Sequence, residues 1–265
     1  MEILKDFVEY KGRFYEYNTT LDSFYFRGLE KDCGRLPDPQ VLYPLYFGCK
    51  GSVPYANAFI IPTMHDKEAY FASLGKRTRK NIRQLRRDFP NIRIREFKPS
   101  RRQFRDFANK YVQYTNELHD YETAHDEYDY EYDDDTKQFI DYWMGQPELR
   151  CIKVYSGTWL LYTAFTIPLT ENAISIPLVL RNADDVGKLG LFEVVHYLAD
   201  NHRYVDLCET FSSYKRHLGA HRYQCYLYCQ GTDVFRRIID YTILRQARKE
   251  LTEEELSLPV LHTLE

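Results

Sequence analysis

Two short stretches hold residue types that can do chemistry together. The first, DLCETFSSYKRHLG, places Asp206, Glu209, Tyr214 and Lys215 within ten residues. Carboxylates there can take a proton, a phenol can return one, and a lysine can hold a phosphate or carboxylate. Strand alternation across YVDLC sends Asp206 and Cys208 to one face and Leu207 and Glu209 to the other. The second stretch, Gly187-Lys188-Leu189-Gly190, opens a predicted helix directly after a predicted strand that ends at Arg181. Free amides at such a helix start, with glycines allowing close approach, suit a pyrophosphate.

A third feature is a matter of charge. Lys76 to Arg105 holds thirteen Lys or Arg against two acids, whereas Glu117 to Asp135 holds ten acids and no Lys or Arg. In LGKRTRKNIRQLRRDFP the apolar residues Leu74, Thr78, Ile82, Leu85 and Phe89 recur at three- and four-residue steps. The pattern predicts an amphipathic helix over 76–89 whose polar faces are basic, and Lys76, Arg79, Lys80 and Arg83 are the candidates for holding an anion. The acidic stretch clusters His119, Asp120, Glu122, His125 and Asp126 but has no HExxH or three-histidine spacing. It reads as a solvated acidic segment, or as one that lies over the basic helix as a mimic of an anionic ligand or a lid, and no metal is expected.

Elements that would position these groups follow from periodicity. Helices are predicted at 67–72, 76–89, 100–118 and 135–145, with a strand at 91–97. Three antiparallel strands follow at 149–156, 159–168 and 172–181, the first two joined by a hairpin at Gly157-Thr158. Beyond the helix entered at Gly187 come the strand YVDLC, a helical turn ending at Gly219, a strand at 222–229 and a helix at 233–249. The domain reading is a loop-rich N-terminal elaboration over 1–65, a core domain over 66–232, and a C-terminal helix with a peripheral acidic tail over 233–265. The six cysteines read as thiols, Cys225 and Cys229 sharing one face of a strand.

That order of elements resembles the GNAT acyltransferase fold. KRTRKNIRQLRR is similar to the basic helix opening the domain in the FemAB-like and BioF2-like branch, and DLCETFSSYKRHLG to the segment ending in Tyr-Lys near its end. The resemblance covers about residues 57–230. It implies an α+β fold with a mixed, mostly antiparallel central sheet flanked by helices. It also implies an N-acyltransferase moving an acyl group from an activated donor, acyl-CoA or a similar thioester, to a primary amine of a small molecule or peptide by direct attack. In that reading Glu209, Asp206 and Tyr214 are catalytic. Gly187, Lys188, Gly190, Arg181 and Lys215 bind the donor. Two alternatives stay open: a FemAB-like transferase using aminoacyl-tRNA, with tRNA as partner, and an inactive GNAT-like binding module. Glu209, Thr210 and Phe211 stand where that branch commonly carries Arg-Gly-Asp.

Composition bounds the rest. The chain has 265 residues, 44 % of them hydrophobic, and a formal charge of −3, enough to bury a core and too little imbalance for whole-chain disorder. No apolar run of 18 residues occurs, so no membrane span is expected, and with no secretory signal at the N-terminus the expected location is the cytoplasm. The sequence leaves the oligomeric state open.

Overall fold

The computed structural model describes residues 3–4, 7–10, 13–16, 42–45, 53–122, 140, 143–146, 148–182, 186–208, 212–229, 251–262 and 264. The helices predicted at 135–145 and 233–249 lie mostly or wholly outside these residues. The chain forms two compact units. Unit 1 comprises 1–64, 169–174 and 201–265, and unit 2 comprises 65–168 and 175–200.

Unit 1 contains a small sheet of β1 (Ile3–Leu4), β2 (Phe7–Tyr10) and β3 (Arg13–Glu16). Its larger sheet is built on β5 (Val53–Pro62), which carries the apolar run AFIIP. Both β10 (Tyr204–Asp206) and β11 (His221–Cys229) pair antiparallel with β5, and β4 (Leu42–Leu45) pairs antiparallel with β11. Ala58, Ile60, Leu169, Ala173, Tyr204, Tyr223, Cys225 and Leu264 form the core cluster. Before β11, α5 (Ser213–His217) closes in a Schellman motif: Ala220 N–H donates to the Lys215 carbonyl and Gly219 N–H to the Arg216 carbonyl. Gly219 sits at φ 82°, a conformation glycine adopts without a Cβ penalty.

The C-terminal tail differs from the peripheral segment expected of it. A capping box on Thr252 and Glu255 starts α6 (Glu253–Leu256), and β12 (Val260–Leu261) then pairs parallel with Arg222 and Tyr223 of β11. Leu258 and Leu264 are buried. Two apolar side chains and a two-residue ladder outweigh the acids, which stay at the surface.

Unit 2 follows the periodicity closely. Asp66 caps α1 (Lys67–Ser73), accepting from the Glu68 and Ala69 amides at 2.8 and 3.0 Å. After Gly75 comes α2 (Lys76–Asp88), which buries Ile82 and leaves Lys76, Arg77, Lys80, Arg83 and Arg87 exposed. Asn91, at φ 60°, reverses the chain into β6 (Ile92–Phe97). A reciprocal cap, Ser100 with Gln103, opens α3 (Arg101–Glu122). β7 (Arg150–Ser156) and β8 (Trp159–Pro168) form the hairpin, with Gly157 at φ 59°, and β9 (Ala173–Arg181) leads to α4 (Gly187–Leu198).

Within unit 2 the strand order is β9-β8-β7-β6, and β6–β7 and β7–β8 are antiparallel. Directly paired residues share a face, so register assigns the layers. Phe97, Cys151 and Phe165 share the face on which α3 packs Phe104 and Phe107, with ring centroids 4.9 and 4.5 Å from Phe165. Ile94, Val154 and Tyr162 share the opposite face, which carries α4. Phe192 of α4 meets Tyr70 and Phe71 of α1 at 6.1 and 5.6 Å. The fold is therefore α+β, with mixed, mostly antiparallel sheet flanked by helices, and its elements from α1 to β11 come in the predicted order. No helix among the described residues is long and apolar enough to cross a membrane.

Candidate active site

Of the predicted donor groups, Arg181, Gly187 and Lys188 lie at the start of α4 in unit 2, whereas Lys215 belongs to unit 1. Val186 precedes the first turn without a side-chain cap, and that turn holds no acid. Gly187 has its missing side chain replaced by a neighbour: a Cβ there would lie 2.6 Å from Cδ and 3.3 Å from Cγ of Arg181. The arginine stem lies against the glycine, which brings a cationic side chain to the positive end of the helix. Arg181 and Lys188 are both exposed. Gly190 serves packing instead. A Cβ on it would fall 2.5 Å from both Cβ and Cγ of Tyr162, so only glycine lets α4 lie this close to β8.

The basic helix divides its cations. Lys76 and Lys80 are exposed. Arg79 turns back to the end of α1, where its Nη1 donates to the carbonyls of Leu74 (2.6 Å) and Ala72. Orphan carbonyls at a helix C-terminus attract such a donor. The Arg83 guanidinium lies 5.4 Å from the centre of the Phe71 ring.

An ion pair that periodicity did not bring out lies on the same side of the sheet. Arg86 Nε and Nη2 donate to the two carboxylate oxygens of Glu193 at 2.6 and 3.0 Å, and the Glu193 side chain is only 4 % exposed. The guanidinium also lies over Phe71 and Phe192, at 5.9 and 5.2 Å. Hydrogen bonding to Glu193 raises the Arg86 pKa further above its ordinary value. One signal was available: Glu193 is the single acid in the apolar run LGLFEVV, where a buried carboxylate demands a partner. Arg86, Glu193, Asn91, Ile92 and Ile94 line an open cleft of about 500 Å³.

His196, one turn beyond Glu193, has its pKa held below the ordinary 6.5, first by burial and second by the Arg86 charge. The folded state thus resists protonation that the unfolded chain accepts near pH 6.5. Its contribution is intact above that pH and is lost as pH falls from 6.5 to the folded midpoint. An NMR titration of the His196 ring is expected to give a midpoint below 6.5; one at or above 6.5 contradicts this account.

In unit 1 the second predicted cluster is compact. Asp206 is fully buried at the end of β10; its Oδ1 accepts from the Cys208 amide at 3.1 Å, and its Oδ2 lies 3.8 Å from the Cys208 thiol. Cys208 is not a strand residue: it takes φ 61°, so strand alternation stops at Leu207. The ladder to β5 nevertheless continues, Leu207 N–H donating to Phe59 and Phe59 N–H to the Cys208 carbonyl. Lys215 is buried, its Nζ donating to the Leu207 carbonyl at 2.5 Å and lying 5.5 Å from the centre of the Phe59 ring. Tyr214 is half-buried beside it on α5. Glu209 lies outside the described residues.

No protein-family profile matches the chain, and no curated protein matches it in sequence. Solved structures align with it in space. FemX aligns at 9 % identity and a TM-score of 0.47, covering 71 % of this chain and 65 % of its own. L-PGS from Bacillus licheniformis aligns at 13 % and 0.43, covering 75 % and 67 %. A GCN5-related N-acetyltransferase from Kribbella flavida aligns at 11 % and 0.34, covering 68 % and 60 %. The chain thus spans about two thirds or less of the length of these neighbours.

Proposed function

We propose that the protein is a GNAT-like N-acyltransferase that passes an acyl group from a thioester donor such as acyl-CoA to a primary amine. The observation that carries this reading is the start of α4, an uncapped helix end entered through Gly187 with the Arg181 stem against it. Backbone amides and a guanidinium together match a donor pyrophosphate, and the helix field favours its charge. Likeness of the Tyr214-Lys215 segment to the acyltransferase branch, and the order of elements around it, agree with this assignment.

In the reaction the neutral amine attacks the thioester carbonyl carbon. A C–N bond forms, the C–S bond breaks, the nitrogen gives up a proton and the departing thiolate gains one. Asp206 and Glu209 are proposed as proton acceptors and Tyr214 as proton donor. An aminoacyl-tRNA donor is the second reading, favoured by Lys76 and Lys80 standing exposed on α2.

A panel of acyl-CoAs and charged tRNAs, with donor loss followed by mass spectrometry, tests both. Acyl-CoA consumption is expected, with Arg181→Ala raising KM for the donor about tenfold, the worth of one charge-assisted hydrogen bond. Tyr214→Phe is expected to lower kcat by about 100-fold, the low end for a lost proton donor. Consumption of charged tRNA alone would move the assignment to the second reading; consumption of no donor would overturn both.

A further inference from the structure

Among the described residues no strand pairs with the outer edge of β6, the last strand in the unit 2 order. Its free groups can be assigned. Gly157 N–H donates to the Asn91 carbonyl at 3.3 Å, so 91 and 157 form a hydrogen-bonded pair. By antiparallel alternation Arg93, Arg95 and Phe97 direct their N–H and C=O toward β7. Ile92, Ile94 and Glu96 direct theirs outward.

The two faces beside this edge differ in chemistry. Ile92 and Ile94 line the cleft of about 500 Å³ together with Asn91 and the Arg86–Glu193 pair. Nε and Nη2 of Arg86 are engaged by Glu193, and its Nη1 has no hydrogen-bond partner among the described residues. On the other face Arg93 and Arg95 are exposed. Arg93 donates to the Gly157 carbonyl and Arg95 lies 5.9 Å from the Tyr155 ring centre, and neither has an acidic partner among the described residues. Two copies of β6 set edge to edge would oppose these like charges, which disfavours a second copy of this strand as occupant. An acidic strand would be attracted by the same arginines.

We infer that the β6 edge and its cleft bind an extended peptide in which tyrosines alternate with acidic residues. Its backbone pairs with the outward groups of Ile92, Ile94 and Glu96. Its tyrosines enter the cleft, rings on Ile92 and Ile94 and hydroxyls at the Arg86 and Asn91 end. The acids, one residue out of step, fall on the face of Arg93 and Arg95. Tyrosine suits the cleft because one end is apolar and the other polar. This inference stands apart from the acyl-transfer reading and does not depend on it.

The pattern occurs in this chain's own sequence as EYDYEYD, residues 127–133, and a synthetic heptapeptide of that sequence is the probe. It is added to the intact protein, with EEDDYYY as a control of equal composition, and affinity is read by fluorescence anisotropy. The alternating peptide is expected to bind at least about tenfold more tightly than the control, because only it can satisfy both faces at once. It should slow amide exchange at Ile92, Ile94 and Glu96 at least about tenfold and leave Arg93 and Arg95 unchanged. The doubly substituted Arg93→Gln/Arg95→Gln protein, altered only at exposed positions, should lose at least about tenfold in affinity with its Tm retained. Equal binding of both peptides, binding of neither, or protection of the three amides before any peptide is added would each overturn the inference. So would an oligo(U) RNA that slows those amides when the peptide does not.

Discussion

Gly190→Ala is expected to destabilise the protein, whereas Gly187→Ala, three residues earlier on the same helix, should leave the fold intact. At Gly190 the added methyl would meet Cβ and Cγ of Tyr162 at 2.5 Å, atoms fixed to the backbone of a buried strand. Overpacking of this kind costs about 3 kcal/mol. Alanine's advantage over glycine inside a helix returns about 1 kcal/mol, leaving a net loss of about 2 kcal/mol, or a fall in Tm of about 4–8 °C. At Gly187 the methyl meets the Arg181 side chain, which can swing away. There the expected change is in donor KM, with Tm held to within about 2 °C. Equal melting temperatures for wild type and Gly190→Ala would show that α4 does not lie on β8 as described.

The second large effect concerns the Arg86–Glu193 pair. Arg86→Leu strands a carboxylate that is only 4 % exposed. Removing one member of a buried pair costs about 3–5 kcal/mol. The Arg86 side chain is 35 % exposed, so water reaches the vacated space and about 2 kcal/mol is the expectation here. Arg86→Leu/Glu193→Met removes both charges and should return to within about 1 kcal/mol of wild type, since an apolar replacement of a buried pair is often neutral. Denaturant melts of the four proteins form a double-mutant cycle. Strictly additive losses would mean that the two side chains do not share an environment.

How far the sequence reaches is clearest in unit 2. The 3.6 period of Leu74 to Phe89, the alternation of NIRIREF and the Gly157-Thr158 turn are local signals, and the helices and strands formed there keep the predicted bounds to within a few residues. Position in space is another matter. Arg79 and Arg83 look like Lys76 and Lys80 in the sequence, yet one is bonded to the end of α1 and the other lies over Phe71. Arg86 and Glu193 are 107 positions apart, and no periodicity links them. The β12 ladder escapes notice because two residues after Pro259 carry no strand signal of their own; the pairing comes entirely from β11. At the donor site the glycines were legible as a pair, but not their division of labour, which depends on whether Arg181 or Tyr162 happens to face each one.

The division of the chain into units also has a consequence for biosynthesis. Unit 2 needs only residues 65–168 and 175–200, one nearly unbroken stretch, whereas unit 1 draws on three separated segments and ends with Leu264 in its core. A chain emerging from the ribosome therefore has all of unit 2 available while β11 and β12 are still unmade. β5, an early segment of unit 1, must wait for β11 and Leu264 before its ladder and core close. Nascent chains arrested near position 230 should accordingly be protease-resistant at the described residues of unit 2 and cleavable within β5.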